Sequence, residues 1–340
     1  MNKNNKKMIF IIYFVFYIFG LLPFKYNFSK NTIKSSKLSI FYIFTILIFF
    51  ILFNIPLFTL LSGNLKIQNT TISVVGQVVM IFQTFCIYLQ ILLAYCLTLK
   101  NRFSLIDFVK KILNFYQQLQ RIVTDKQKFE GKAQTEISLC FKINNFQYVY
   151  YLFVYIFTSF YETLATHFLP YVINGIFAPM IIIFVANIFS SITLLLKFYF
   201  FIINEEIQSL INVFVLKTNN LLIRKQKRIE YYYKLSERID GLGIMYKELY
   251  DLFKICDKLF KINILGIMFV SFVTILSDLF YNYQFLLKNI NNDININGFN
   301  ILSNILWNAY QYFIILYMVY SCELLISEVF YFIIIYSYLF

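Results

Sequence analysis

Residues 246–287 read YKELYDLFKICDKLFKINILGIMFVSFVTILSDLFYNYQFLL, and the fold turns on what happens at Lys261. Before it, Tyr246, Leu249, Phe253, Cys256 and Phe260 recur at helical spacing among charged residues, and Leu235, Ile239 and Leu242 extend the same stripe upstream. After it, Ile262–Leu287 is apolar and holds one charge, Asp278. A helix rises 1.5 Å per residue, so about 20 apolar residues cross a hydrocarbon core of about 30 Å. The stretch therefore predicts one helix that packs by a stripe outside a bilayer and then enters it.

Outward from this segment the same reading repeats. Crossings are predicted at about Leu38–Leu61, Ser73–Leu99, Phe146–Phe168, Val172–Ile203, Ile262–Leu287 and Ile301–Ser321, interrupted by Glu162, Lys197 and Asp278. The fourth runs on through Ile207, Leu210, Ile211 and Phe214 at helical spacing, which predicts a helix projecting beyond the membrane. The composition agrees: 60% hydrophobic and 14% charged residues suit a chain whose solvent is lipid, because soluble domains place charge on about 25% of their residues. The fold class predicted is all-α, a polytopic integral membrane protein with six clear transmembrane helices. It forms a single domain over 1–340, with an N-terminal segment 1–37 and cytoplasmic connections 100–145 and 204–261.

Orientation follows from 30 Lys and Arg residues. Lys100 to Lys142 carries nine of them and Lys217 to Lys261 eleven, whereas the alternate connections carry Lys66, none and Lys288. The positive-inside rule puts the basic connections in the cytoplasm of a multi-pass plasma-membrane protein. If the apolar block 8–22 does not cross, 27 basic residues fall inside and two outside, with Lys197 left within a span. If it crosses from a cytoplasmic N-terminus, five fall inside and 24 outside, which inverts the rule, and if it crosses from an outside N-terminus, 24 stay inside against five. Fifteen residues span only about 22 Å, so the block is read as dipping into the bilayer or packing on the bundle. GLLPFKYN offers no small-x-small site for a cleaved signal peptide.

The net charge of +13 is assigned to cytoplasmic membrane faces and anionic lipids, with no nucleic-acid partner. Five cysteines without a C-x-x-C pair predict no structural disulfide, and one histidine, His167, excludes a multi-His metal centre. No phosphate-binding, dinucleotide or nucleophile-elbow motif is present, and no cofactor is expected. Asn69-Thr70-Thr71 is a glycosylation acceptor in an outer loop, where modified and unmodified states both stay open.

Four further stretches carry a family resemblance: GLLPF (20–24), FIINEEIQSL (201–210), YKELYDLFKICDKLFKINILGIMF (246–269) and CELLISE (322–328). In their order, and with six matching spans, the chain resembles the insect gustatory receptors, and more weakly their odorant-receptor relatives. The resemblance implies seven spans with the N-terminus inside, assembled as a tetramer of identical or related subunits. It implies a cation channel opened by a small-molecule tastant, with ligand pockets in the outer half, a pore lined by the seventh span and a cytoplasmic helical anchor. The sequence departs from that pattern after CELLISE: VFYFIIIYSYLF gives about 18 Å of helix and lacks the family's Thr-Tyr and Gln-Phe signature. The expectation is a chain without a complete seventh crossing, for which a non-conducting subunit is the alternative reading.

Acids within a span face a cavity or a partner, which makes Asp278 and Glu162 candidate ligand contacts. Tyr155, Tyr161, His167, Tyr281, Trp307 and Gln311 fall at similar depth and complete an aromatic-walled pocket with polar anchors. The competing reading of the tyrosines and Trp307 is an interfacial belt. An intramembrane enzyme, such as an acyltransferase, would need a paired base or metal cluster that one histidine and two distant acids do not supply.

Overall fold

The computed structural model describes residues 20–21, 24–27, 32–48, 74–123, 126–162, 178–219, 225–292 and 298–339. A short antiparallel hairpin pairs β1 (Phe24–Asn27) with β2 (Thr32–Ser35). Seven helices follow among the described residues: α1 (Lys37–Ile48), α2 (Val74–Lys100), α3 (Arg102–Ile122), α4 (Lys126–Glu162), α5 (Ala178–Asn219), α6 (Lys225–Asn292) and α7 (Gly298–Leu339). The polytopic membrane class read from the sequence is thus present in helical form, with the hairpin as its one extended element among the described residues.

The decisive stretch is a single helix. α6 runs 68 residues, about 100 Å at the helical rise, so a bilayer core takes up only a third of it. α5 and α7 are 42 residues each and exceed one crossing in the same way. In α7 the residues beyond Ser321 continue the helix of the sixth crossing. α2, α5, α6 and α7 contain segments long and apolar enough to span a membrane. The first and third predicted crossings are described only to Ile48 and Glu162. The basic connection 100–145 is itself helical: α3 starts one residue after α2, at the Asn101 turn, and α4 follows.

The described residues pack as two compact units. The first comprises those of Met1–Ile106, Lys142–Ile188 and Phe260–Met318, the second those of Asp107–Phe141, Phe189–Leu259 and Val319–Phe340. In the first unit α2 and α6 each divide into a packed face and an apolar exposed one, whereas Ile181–Asn187 of α5 are buried throughout. On α2, Cys86, Gln90, Ile91, Ala94 and Tyr95 are buried, while Val75, Val78, Phe82, Phe85 and Leu89 stand exposed at heptad-like spacing. On α6, Leu265, Phe269, Phe272, Leu276, Leu279 and Tyr283 form the exposed stripe. Such stripes would be a liability in water and are the ordinary lipid face of a spanning helix.

Two hydrogen bonds fasten α2 to α6. Gln90 Nε2 donates to the Asn263 carbonyl at 3.1 Å, and Tyr281 Oη donates to the Gly76 carbonyl at 2.6 Å. Gly266 makes the close approach possible, since a Cβ there would collide with the Gln90 amide. At the other end of the chain Gly20 adopts a left-handed φ of 65°, and a Cβ there would meet Ile46 at 3.0 Å and Ile43 and Tyr95 at 3.6 Å. The GLLPF motif begins with the one residue type that enters this turn without strain. Ser36 caps α1, its hydroxyl accepting from the Ser39 amide at 3.3 Å.

The second unit is held differently. The stripe predicted for α6 is its packed face, with Leu242, Leu249 and Cys256 buried. Tyr246 sits edge-on to Phe200 of α5 at 5.1 Å and stacks on Phe332 of α7 with centroids 3.4 Å apart. Phe115 of α3 packs on Tyr199 of α5 at 5.4 Å, and Phe129 of α4 on Phe198 at 5.8 Å.

Candidate functional site

In the first unit α2, α5, α6 and α7 enclose a cavity of about 40 Å³. α7 supplies Trp307, Tyr310, Gln311 and Ile314, α6 Val270, Ser271 and Thr274, and α2 Gln83 and Ile87. Pro179, Ile182 and Ile183 close it from the first turns of α5. Helical periodicity explains the set: 307, 310, 311 and 314 share one face of α7, and 270, 271 and 274 one face of α6.

The wall behind Trp307 is aromatic. Its ring lies 5.8 Å from Tyr151 and 6.0 Å from Tyr310, and Tyr310 lies 5.4 Å from Tyr151 and 5.9 Å from Tyr150. Tyr150 Oη donates to the Leu306 carbonyl at 3.2 Å, which ties α4 to α7 at this level. Tyr310 is fully buried, and its hydroxyl has no hydrogen-bond partner among the described residues. Thr274 returns its hydroxyl to the Val270 carbonyl at 2.9 Å, leaving its methyl for the cavity. The lining carries no formal charge, so the cavity suits a neutral ligand with an apolar body and hydrogen-bonding groups. Its present volume admits water and falls well below the roughly 300 Å³ of an ordinary ligand pocket.

Of the residues singled out from the sequence, Trp307 and Gln311 line this cavity. Tyr155 is buried and joins the cluster through Tyr151, at 6.4 Å. Asp278 lies one turn beyond Thr274 and outside the lining, half-buried, with its Oδ2 unpartnered among the described residues. Tyr281 is engaged in fastening α6 to α2. The side chains of Tyr161 and Glu162, and His167 and Asn69 altogether, lie outside the described residues. Sequence reasoning missed Gln83, Ser271, Thr274 and Tyr310. Neutral polar residues within apolar runs were the available signal.

The second unit carries the charged chemistry. Lys132 of α4 pairs with Glu205 of α5 at 2.6 Å, and Lys197 of α5 pairs with Glu136 of α4 at 3.1 Å. Between them Phe201 lies under both ammonium groups, 4.5 and 5.9 Å from its centroid. Lys197, the lysine set aside as lying within a crossing, thus has its counter-ion on the neighbouring helix. Next on α5, Asn204 Nδ2 donates to the carbonyl and to Oε2 of Glu328, both at 3.0 Å. Tyr246 Oη reaches the Val329 carbonyl at 3.5 Å, a weak bond by its length. The stretches NEEIQSL, YKELYDLF and CELLISE, quoted above as separate motifs, meet here.

Among the described residues no group of three or more His, Cys, Asp and Glu side chains is placed to hold a metal ion. A search of curated proteins finds no match to the chain. The family model described as 7tm Chemosensory receptor matches residues 9–329, which takes in every described helix but the end of α7. With its long apolar helices, its lipid-facing stripes and its motif residues joined in one packing node, the chain belongs to the 7tm chemosensory receptor family.

Proposed function

We propose that the protein is a gustatory receptor, a subunit of a tastant-gated cation channel, and that the cavity walled by Trp307 and Tyr310 is where its ligand acts. The observation that carries this reading is the convergence of four helices on one uncharged, aromatic-backed cavity within a chemosensory receptor chain. At about 40 Å³ the cavity has to widen to admit a tastant, which gives the ligand its leverage. A molecule that binds only the widened arrangement shifts the population toward it, and the long helices α5, α6 and α7 move with their lining residues. Subunits of the same or related chains would complete a tetramer around a shared pore.

The proposed topology keeps the N-terminus and the segments 100–145 and 204–261 in the cytoplasm of a plasma-membrane protein, with Asn69 outside. It rests on the basic-residue asymmetry and on spans at 38–61, 73–99, 146–168, 172–203, 262–287 and 301–321. An epitope inserted between Arg224 and Arg228 should be reached by antibody only after permeabilisation. Staining of intact cells would reverse the topology.

The functional test is whole-cell recording from cells expressing the chain, alone and with other family subunits, during application of a tastant panel. A ligand-evoked cation current that Trp307→Ala and Gln311→Ala abolish, at unchanged surface expression, is the expected result. A current indifferent to both substitutions would remove the cavity from the mechanism. The family is one of receptors, and no enzymatic step is assigned.

A further inference from the structure

A second cavity, of about 350 Å³, opens within the second unit between α3 and α6. This is the volume of an ordinary small-molecule site. Its floor is apolar: Phe115 and Leu252 are 2% and 4% exposed, and Ile255 adjoins them. The floor is also stiff, because Phe115 is backed by Tyr199 at 5.4 Å. Its two lips differ in sign. α3 presents Lys111, Asn114 and Gln118 at i, i+3 and i+7, a single stripe, and α6 presents Glu248 and Asp251 one turn apart.

Among the described residues, none of these five polar side chains makes a hydrogen bond or an ion pair. Elsewhere in the same unit lysines do find glutamates, as Lys132, Lys197 and Lys234 show. Here opposite charges border one cavity without closing on each other. We propose that this cavity binds a small zwitterion with an apolar side group, an α-amino acid or a close analogue. Its carboxylate lies at Lys111, its ammonium at Glu248 and Asp251, and its side group on the floor formed by Phe115, Leu252 and Ile255. Asn114 and Gln118 supply neutral hydrogen bonds to either end. A plain anion would satisfy Lys111 and meet two carboxylates, and a plain cation would leave Lys111 unpaired. Both are disfavoured by repulsion as much as the zwitterion is favoured by attraction. The site is separate from the cavity of the first unit and depends neither on the receptor mechanism nor on the membrane topology proposed above.

The test uses the full chain in lipid nanodiscs and equilibrium binding of radiolabelled L-leucine. Saturable binding is expected, displaced by unlabelled L-leucine and at least about tenfold less well by 4-methylpentanoate, which lacks the ammonium, and by isoamylamine, which lacks the carboxylate. Lys111→Ala, and separately the pair Glu248→Gln with Asp251→Asn, should each weaken binding by at least about tenfold, the worth of a charged hydrogen bond. Because these side chains are exposed, the melting temperature should stay at that of the parent, and Lys234→Ala should bind as the parent does. Absence of saturable binding into the millimolar range overturns the proposal. So does binding that survives the lip substitutions, and so does equal binding of either singly charged analogue.

Discussion

The two units are built from the same long helices, yet they solve the problem of buried polarity in opposite ways. In the first unit neutral side chains tie helix to helix through backbone carbonyls: Gln90 to Asn263, Tyr281 to Gly76, Tyr150 to Leu306. In the second, Lys132 and Lys197 pair with glutamates of the neighbouring helix, and every ion pair among the described residues lies in this unit, Lys234–Glu230 within a single helix. A charge in hydrocarbon costs several kcal/mol, whereas a carbonyl is always at hand on a neighbouring helix. Where water reaches the helices, an ion pair costs little and a mixed-charge groove can stay open. The contrast is what the proposed topology expects of a unit in lipid and a unit in water.

The sharpest way to break this contrast is to put a charge where the first unit has none. Ser271→Lys, at a position 1% exposed beside the cavity, should destabilise the fold by about 3 kcal/mol. Thermal unfolding in detergent should show it as a large loss of melting temperature, and a parental melt would mean that water reaches this unit. The second unit should in turn prove dry in places. Burial, with Glu136 nearby, pushes the Cys140 thiol up to about 11 from its usual 9.0. Since only the thiolate reacts, alkylation of native Cys140 at pH 8 should be about 100-fold slower than that of an unperturbed thiol. The rate should rise about tenfold per pH unit until pH passes about 11, and denaturation should abolish the lag.

Trp307→Ala tests the aromatic wall of the first unit. Deleting a ring that is only half-buried should cost about 2 kcal/mol, less than the roughly 3–5 of a fully buried one, and should enlarge the cavity. A smaller effect is expected at the clasp around Phe201. The Lys197–Glu136 pair is 17% and 30% exposed, so a double-mutant cycle with Lys197→Met and Glu136→Gln should give a coupling of about 1 kcal/mol. A coupling indistinguishable from zero would mean that Glu136 does not help to hold Lys197. Least of all should follow from Lys234→Ala, which removes a fully exposed pair with Glu230 one turn away, and unfolding curves should superimpose.

Reading the sequence succeeded where one helix's own periodicity carries the information. The α6 stripe through Leu242, Leu249, Cys256 and Phe260 and the extension of α5 through Ile207 and Leu210 are both packed as their spacing implied. It fell short where a neighbour decides. The hairpin pairs Lys25 directly with Lys34, a like-charge match that strand pairing disfavours and exposure to solvent tolerates. Nothing in either strand alone announces it. The segment 100–145 was read only as a basic connection, although Ile106, Phe108, Ile112, Phe115 and Leu119 recur at helical spacing and form the buried face of α3.

At the candidate site the outcome was split for the same reason. Trp307 and Gln311 reached the cavity, but Asp278, the residue that the cost of a buried acid singled out, stands one turn off it. The sequence by itself determined which long segments are apolar enough for lipid and which face of α6 and of the α5 extension packs, because those properties are local and repeat every 3.6 residues. Only the tertiary structure decided that Gln83, Ser271, Tyr310 and Gln311 meet around one space and that Lys197 finds Glu136. Those choices depend on how far one helix slides and turns against the next, a freedom that a 3.6-residue repeat leaves undetermined.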